Sequence, residues 1–288
     1  MTTSPPALPY KPASGLLNEV LEMLRNPPTG VPLTWFPQLD NALGGFRPNE
    51  ITLLCAPTGA GKTQLLACLS AMFLSQRVPH FVAPVETGDM DFLARVLSVL
   101  VEHDLNTGLA QGEGVLHKAE VLSKPLKIGE YLFVSTHDSR VDVDDMLNML
   151  KYQSQVYGIK VALLDNLNFF LKITSAQNER AEMDEAIHKF VMLAKHLPIH
   201  IVLIVHPRKT DGGRVESEFD IKGSSTAVQE CSNVALFNRY PDKVVADGMA
   251  HTHDRELVFK KLRKRGAFVN TPFKLSFKNA RYWERSGR

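Results

Sequence analysis

Ile51-Thr52-Leu53-Leu54-Cys55 runs directly into Ala56-Pro57-Thr58-Gly59-Ala60-Gly61-Lys62-Thr63, and helical spacing over residues 61–75 follows at once. A short apolar strand, a glycine-bearing loop ending in Gly-Lys-Thr, and a helix form a phosphate-binding loop. The variant here is A-x-x-x-x-G-K-T, with alanine where glycine is commoner. Gly59 and Gly61 let the backbone turn so that successive N–H groups converge on an anion, and the helix N-terminus adds positive potential. The segment therefore predicts nucleotide contacts from Pro57, Thr58, Gly59, Ala60, Gly61, Lys62, Thr63 and Gln64. Lys62 is expected to reach the β- and γ-phosphates of ATP, and the Thr63 hydroxyl to ligate Mg²⁺.

Outward from this loop, short apolar runs alternate with helical patterns. Ile51–Cys55, Phe81–Val85, Tyr131–Ser135, Val161–Asp165 and Ile199–Val205 read as strands, apolar on both faces as a parallel sheet between helix layers requires. Residues 61–75, 89–102, 142–157 and 178–196 carry helical spacing. The repetition predicts a doubly wound α/β domain, a mostly parallel twisted sheet with helices on both faces. Val234–Phe237, Glu256–Leu262 and Pro272–Phe277 lie closer together and read as partly antiparallel. Residues 104–127 and the polar stretch 207–226 lack a core signature, and a loop that long inside a domain is usually functional or disordered.

Two acids join the loop in this reading. Asp165 ends the run Val161-Ala162-Leu163-Leu164 at the carboxyl edge of a buried strand, where open α/β sheets place ligands. Its expected role is holding the Mg²⁺ hydration shell; a solvated strand-end aspartate is the alternative. Glu86 ends the strand that follows the phosphate-loop helix, where a carboxylate could orient and deprotonate an attacking water; the alternative is a capping acid for the helix at 89–102.

At the front of the chain, residues 1–13 read as a mobile tail, and Ser14 is expected to cap a short helix through Arg25. Leu17, Val20, Leu21 and Leu24 form one stripe on that helix, either packed on its own domain or docked on a neighbouring subunit. Asn26-Pro27-Pro28-Thr29-Gly30 stops it. The division expected is a tail and linker-type helix over 1–30 and one ATPase domain over 31–288.

Composition narrows the class. The 288 residues are 44% hydrophobic and 22% charged, which excludes collagen-like, coiled-coil and wholly disordered chains. No apolar run approaches the roughly 18–20 residues that span a bilayer, and the N-terminus lacks a secretory pattern. Lys+Arg 33 against Asp+Glu 31 leaves a net charge of +2, so polyanion binding must come from local clusters. Cys55, Cys68 and Cys231 are an odd, scattered set that argues against zinc or a disulfide framework and for a reducing compartment.

Phe36-Pro37-x-Leu39, Leu43-x-Gly45, Arg47, Glu50 and the loop PTGAGKT together resemble the ATPase domain of DnaB-type replicative helicases, most of all the Twinkle branch and its phage primase–helicase relatives. The resemblance covers roughly residues 31–285 and implies a RecA-like P-loop NTPase core. Further stations follow in family order. His206-Pro207-Arg208-Lys209 resembles the switch strand and first DNA-facing residues, which would make His206 a γ-phosphate sensor. Gly223-Ser224-Ser225-x-x-x-Gln229-Glu230 resembles the DNA-binding loop and its following helix. Arg208, Lys209 and Lys222, with backbone amides near Gly223 and Ser224, suit a phosphodiester chain, and with no aromatic cluster nearby they point to backbone tracking.

Lys261-Leu262-Arg263 resembles the family's K-x-R arginine finger, although Lys260–Gly266 could also be a nuclear-localisation or nucleic-acid patch. Arg239 and Tyr282 fall near positions that flank the adenine in relatives. The resemblance implies an ATP-dependent, single-stranded-DNA helicase moving 5′→3′, a homo-oligomeric, six-membered ring, a separate primase or loader, and the cytoplasm of a bacterial or phage-infected cell. No primase-like N-terminal domain stands in these residues, so ring formation is expected to rest on the ATPase interface and the 14–25 arm. Two rivals share the same motifs: a RecA- or RadA-like recombinase filament, and a nucleotide-gated DNA-binding or loader module with little turnover.

Overall fold

The computed structural model describes residues 13–105, 113–136, 141–171, 178–208, 214–221, 225–239, 254–264 and 266–285. Nine strands make one sheet: β1 Glu50–Cys55, β2 His80–Pro84, β3 Leu132–Val134, β4 Val161–Asp165, β5 His200–Val205, β6 Asn233–Arg239, β7 Arg255–Leu262, β8 Pro272–Lys278 and β9 Arg281–Glu284. Their spatial order is β3-β2-β4-β5-β1-β6-β7-β8-β9. The first six in that order run parallel, and β6 to β9 are joined antiparallel.

Alternation along the parallel strands feeds two cores. Leu54, Val82, Leu163, Val202 and Ile204 pack on one side with helices α2 Pro37–Leu43, α3 Lys62–Ser75 and α4 Asp89–Val101. Leu53, Cys55, Ala83, Leu164 and Leu203 pack on the other with α7 Val143–Val156 and α8 Glu179–His196. That is why the strand sequences are apolar throughout, with β1, β2, β4 and β5 buried at every position.

The structure departs from the sequence reading in several places. Helix α1 spans Ala13–Arg25, so Ser14 lies within its first turn and is not its cap. None of its residues is buried, and Leu17 and Leu24 are 56% and 67% exposed, so the stripe is not packed on the described residues of its own domain. The tail over 1–12 lies outside the described residues. Tyr131 closes a short helix (α6, Ile128–Tyr131), and the strand starts one residue later. The stretch 104–127 holds a further helix, α5 Glu113–Ser123, which buries Ala119.

Helix α2 and strand β9 were not foreseen. A seven-residue helix gives too little periodicity to read, although Pro37 opens it and Gly44, at φ 71°, closes it by donating to the Asp40 carbonyl. Within 207–226, Val215 and Ile221 are each 1% exposed and belong to the core, and a short helix (α9, Ser225–Glu230) begins at the end of the stretch.

Candidate active site

Strands β2, β4, β5 and β1 lie side by side, and each delivers one sequence-predicted residue at its carboxyl end. β1 opens into the phosphate loop, β4 ends at Asp165, β2 is followed by Glu86, and β5 by His206. In the loop Gly59 and Gly61 sit at φ 74° and 95°, conformations that a side chain would strain. The Gly61, Lys62 and Thr63 N–H groups, at the start of α3, meet no hydrogen-bond acceptor among the described residues. Lys62 is 5% exposed and its charge is felt by Asp165.

Asp165 is fully buried and its Oδ2 accepts a hydrogen bond from the Thr63 hydroxyl at 2.8 Å. Its other carboxylate oxygen, also buried, has no hydrogen-bond partner among the described residues. Burial pushes the carboxyl group up to about 6; the Thr63 bond and Lys62 oppose this, and the Glu86 charge adds to it. A carboxylate so placed gains from a cation, because a nearby positive charge offsets the burial.

Glu86 and His206 meet through Asn166, a residue the sequence reading missed. The Asn166 amide nitrogen donates to Glu86 Oε2 at 2.6 Å and lies 2.9 Å from His206 Nε2. Its carbonyl accepts from the Asn168 N–H at 3.1 Å, which fixes the orientation of the amide. Since the NH₂ group only donates, His206 Nε2 accepts, and the neutral ring carries its proton on Nδ1. Glu86 Oε2 also approaches His206 Nε2, at 3.6 Å. The signal for Asn166 was available: it is the polar residue directly after the strand-end aspartate.

One residue beyond His206, Pro207 bridges Ile221, and Arg208 N–H donates to the Asp220 carbonyl at 2.6 Å. The Asp220 carboxylate accepts from the Glu216 and Ser217 N–H groups, and these bonds hold its pKa below the usual range. Asn238 takes both backbone polar groups of Val215. The base of the polar stretch is thus tied to the sheet, with Arg208 exposed at its edge. Lys209, Lys222, Gly223 and Ser224 lie outside the described residues.

Tyr282 is 2% exposed and packs against Phe237 and Phe277, its hydroxyl filling the space where a Gly61 side chain would stand. It sits behind the loop, buried with its hydroxyl against Gly61. Arg239 donates from Nη2 to the Gly59 carbonyl at 2.9 Å. Arg255, also unforeseen, is 8% exposed and donates to the Ala60 carbonyl.

Lys261 donates to the Gln229 carbonyl, and Arg263 is exposed just past β7, its N–H bonded to the Ser232 carbonyl. Leu262 pairs with Asn233, which pairs with Thr52, three residues before Cys55. At about 3.3 Å per residue, the start of Arg263 lies at least ~10 Å back from this chain's own phosphate loop, near the opposite sheet edge.

A phosphate loop on β1, with polar residues at the ends of the adjoining parallel strands, defines a RecA-like P-loop NTPase domain. Residues 30–282 match the DnaB-like helicase C terminal domain, and the chain belongs to that family. Replicative DNA helicases DnaB from two Helicobacter pylori strains are similar, at 26% identity over 219 residues and 25% over 215. Each alignment covers 73% of this chain, which spans 43% of the length of either relative.

Two solved structures share the fold. One is a DnaB-like replicative helicase described with its interactions with primase: TM-score 0.74, 13% identity, 96% of this chain and 68% of that one. The other is an ATPase domain, with TM-score 0.77, 12% identity, 96% of this chain and all of that one. These relatives speak for the DnaB-like family as a whole, and the placement beside the Twinkle branch stays a reading of the sequence.

Among the described residues no helix is long and apolar enough to cross a membrane.

Proposed function

We propose that this chain is an ATP-hydrolysing motor domain that assembles as a ring and moves along single-stranded DNA. The observation that carries the reading is the Glu86–Asn166–His206 contact, one residue before the Pro207–Ile221 bridge that anchors the basic stretch. Hydrolysis at Glu86 and the grip of Arg208, Lys209, Lys222, Gly223 and Ser224 on DNA then share one short element, which both sites can bias.

In this reading the Gly61, Lys62 and Thr63 amides and the Lys62 ammonium bind the triphosphate, with Pro57, Thr58, Gly59, Ala60 and Gln64 shaping the loop around it. Glu86 orients the attacking water and accepts its proton. His206 accepts a hydrogen bond from Asn166 in the free site, and turning toward the γ-phosphate would exchange that bond for one to the nucleotide. Thr63 and Asp165 fit Mg²⁺, since one Asp165 oxygen is buried without a partner among the described residues. Bound there, Mg²⁺ would supply charge neutralisation to the β- and γ-phosphates.

Arg263 is exposed and remote from its own loop, so its action on a phosphoryl group would be on a neighbour's, with Lys261 steadying the strand end. Arg239 lies at the loop's outer edge, where an adenine could stack. The exposed stripe of α1 would find its apolar partner on an adjacent subunit. Translocation 5′→3′, a hexameric ring, service to a separate primase or loader, and a cytoplasmic setting follow from the family reading.

Turnover of ATP, measured with and without single-stranded DNA alongside the mass of the assembly, tests the proposal. Stimulation by DNA in a closed oligomer is expected. A rate indifferent to DNA, with no capture of the oligonucleotide, would overturn the motor reading, and open filaments would replace the ring.

A further inference from the structure

Arg255 opens β7 directly opposite Arg239, the last residue of β6, and the two guanidinium groups reach consecutive peptides of the phosphate loop. Arg239 takes the Gly59 carbonyl and Arg255 the Ala60 carbonyl. In a planar trans peptide the C=O and the following N–H point in opposite directions. A donor that holds the Ala60 carbonyl outward therefore turns the Gly61 N–H inward, toward the place a β-phosphate must occupy. The Gly59–Ala60 peptide is used differently, because its N–H closes a turn on the Pro57 carbonyl at 3.2 Å.

The two arginines also differ in environment. Arg239 is exposed, so its bond competes with water. Arg255 is 8% exposed; it also donates to the Asp254 carbonyl, and its neighbour is the buried Tyr282 hydroxyl. No carboxylate pairs with it among the described residues. A buried guanidinium satisfied only by neutral acceptors is costly unless an anion comes near. The anion this loop is built to receive is a polyphosphate.

We infer that Arg255 is a positioning residue of the nucleotide site: it sets the Ala60–Gly61 peptide so that the Gly61 amide faces the β-phosphate, and its buried charge favours di- and triphosphates. This rests on the ATPase reading above and adds to it a determinant outside the phosphate-loop motif. Tyr282 completes the device, since its hydroxyl lies against both Arg255 and Gly61. A side chain at position 61 would displace it.

The test is equilibrium binding of ATP and ADP to the full chain, with steady-state turnover, for Arg255→Met and Arg255→Lys. An amide that binds ground state and transition state alike appears in KM, not in kcat. For Arg255→Met the expected result is a loss of about tenfold or more in affinity for both nucleotides, with kcat at saturation nearly unchanged. Arg255→Lys keeps the charge but lacks the planar fork, and should fall between. The nucleotide-induced rise in Tm should shrink in the same order; a purely structural role would lower Tm without nucleotide and leave that rise intact.

Should Arg255→Met fail to fold, Arg255→Lys alone decides the matter. ATP and ADP affinities within twofold of the parent, or a loss confined to kcat, would overturn the inference. A parent chain that binds no nucleotide would instead overturn the ATPase reading on which it rests.

Discussion

Glu86 sits half-buried two residues past the end of β2, with its side chain 34% exposed and one oxygen already engaged by Asn166. That is a suitable position for a base, which needs a free oxygen facing the reacting water and a fixed partner behind it. Glu86→Gln should leave ATP binding intact and lower kcat by about 10²–10⁴-fold; unchanged turnover in a steady-state assay would remove it as the base. The Arg263 backbone stands about 10 Å back along the sheet from its own loop, which favours action on a neighbouring subunit. Arg263→Ala should lower kcat by about 10³-fold or more, and mixing with Lys62→Ala subunits should restore part of the rate, because each variant supplies what the other lacks. No recovery on mixing would place the arginine outside the neighbouring site. Lys62, Thr63, Asp165 and Glu86 were legible because strand-end residues are fixed by local pattern. Asn166 and Arg255 were not, since their partners lie 80 and 195 residues away in sequence.

Among the elements, β5 and the stretch after it carry the proposed coupling. The strand places His206 beside the phosphate-loop strand, and the Pro207–Ile221 bridge ends the free run of the stretch almost as soon as it begins. Val215 and Ile221, buried and held by Asn238 and the Asp220 turn, make part of the stretch a fixed platform. Polar composition concealed this, because two apolar residues six apart do not form a pattern. Arg208→Ala with Lys209→Ala should weaken single-stranded DNA binding about equally for all sequences and reduce its dependence on salt. Binding isotherms at several salt concentrations check this, and a loss confined to particular bases would contradict backbone tracking. Helix α1 shows the opposite relation: its stripe was plain in the sequence, yet nothing local could say that it packs on no other part of the described chain.

For the whole molecule, the two fully buried histidines set the response to acid. His80 bonds Ser70 and the Val78 carbonyl; His200 bonds Thr52 and the Arg47 carbonyl and stacks on Phe46. Burial lowers both to about 4 from an ordinary 6.5. The unfolded chain therefore binds two protons below pH 6.5 that the folded chain refuses until about pH 4, and folding stability declines as pH falls through that window. Asp165, raised to about 6, acts in the opposite sense, since the folded state keeps a proton there that the unfolded state releases. The two histidines outweigh the one aspartate, so between pH 6 and 4 the net effect of these three groups is a loss of folding stability as pH falls. Urea midpoints should be clearly lower at pH 5 than at pH 7.5; equal midpoints would show that the rings accept protons in place. The three buried thiols, each pushed up to about 12 by burial, should resist alkylation until the chain unfolds.

The sequence by itself determined the parallel α/β sheet, the phosphate loop and the strand-end acids, because hydrophobic period and a glycine-rich turn act over a few residues. Only the tertiary structure decided that Asn166 joins Glu86 to His206, that Tyr282 and Arg255 stand behind the loop, and that Arg263 is set back from it along the sheet. Those relations depend on which strands become neighbours, and strand order is set by packing across the whole sheet, not by any local run of residues.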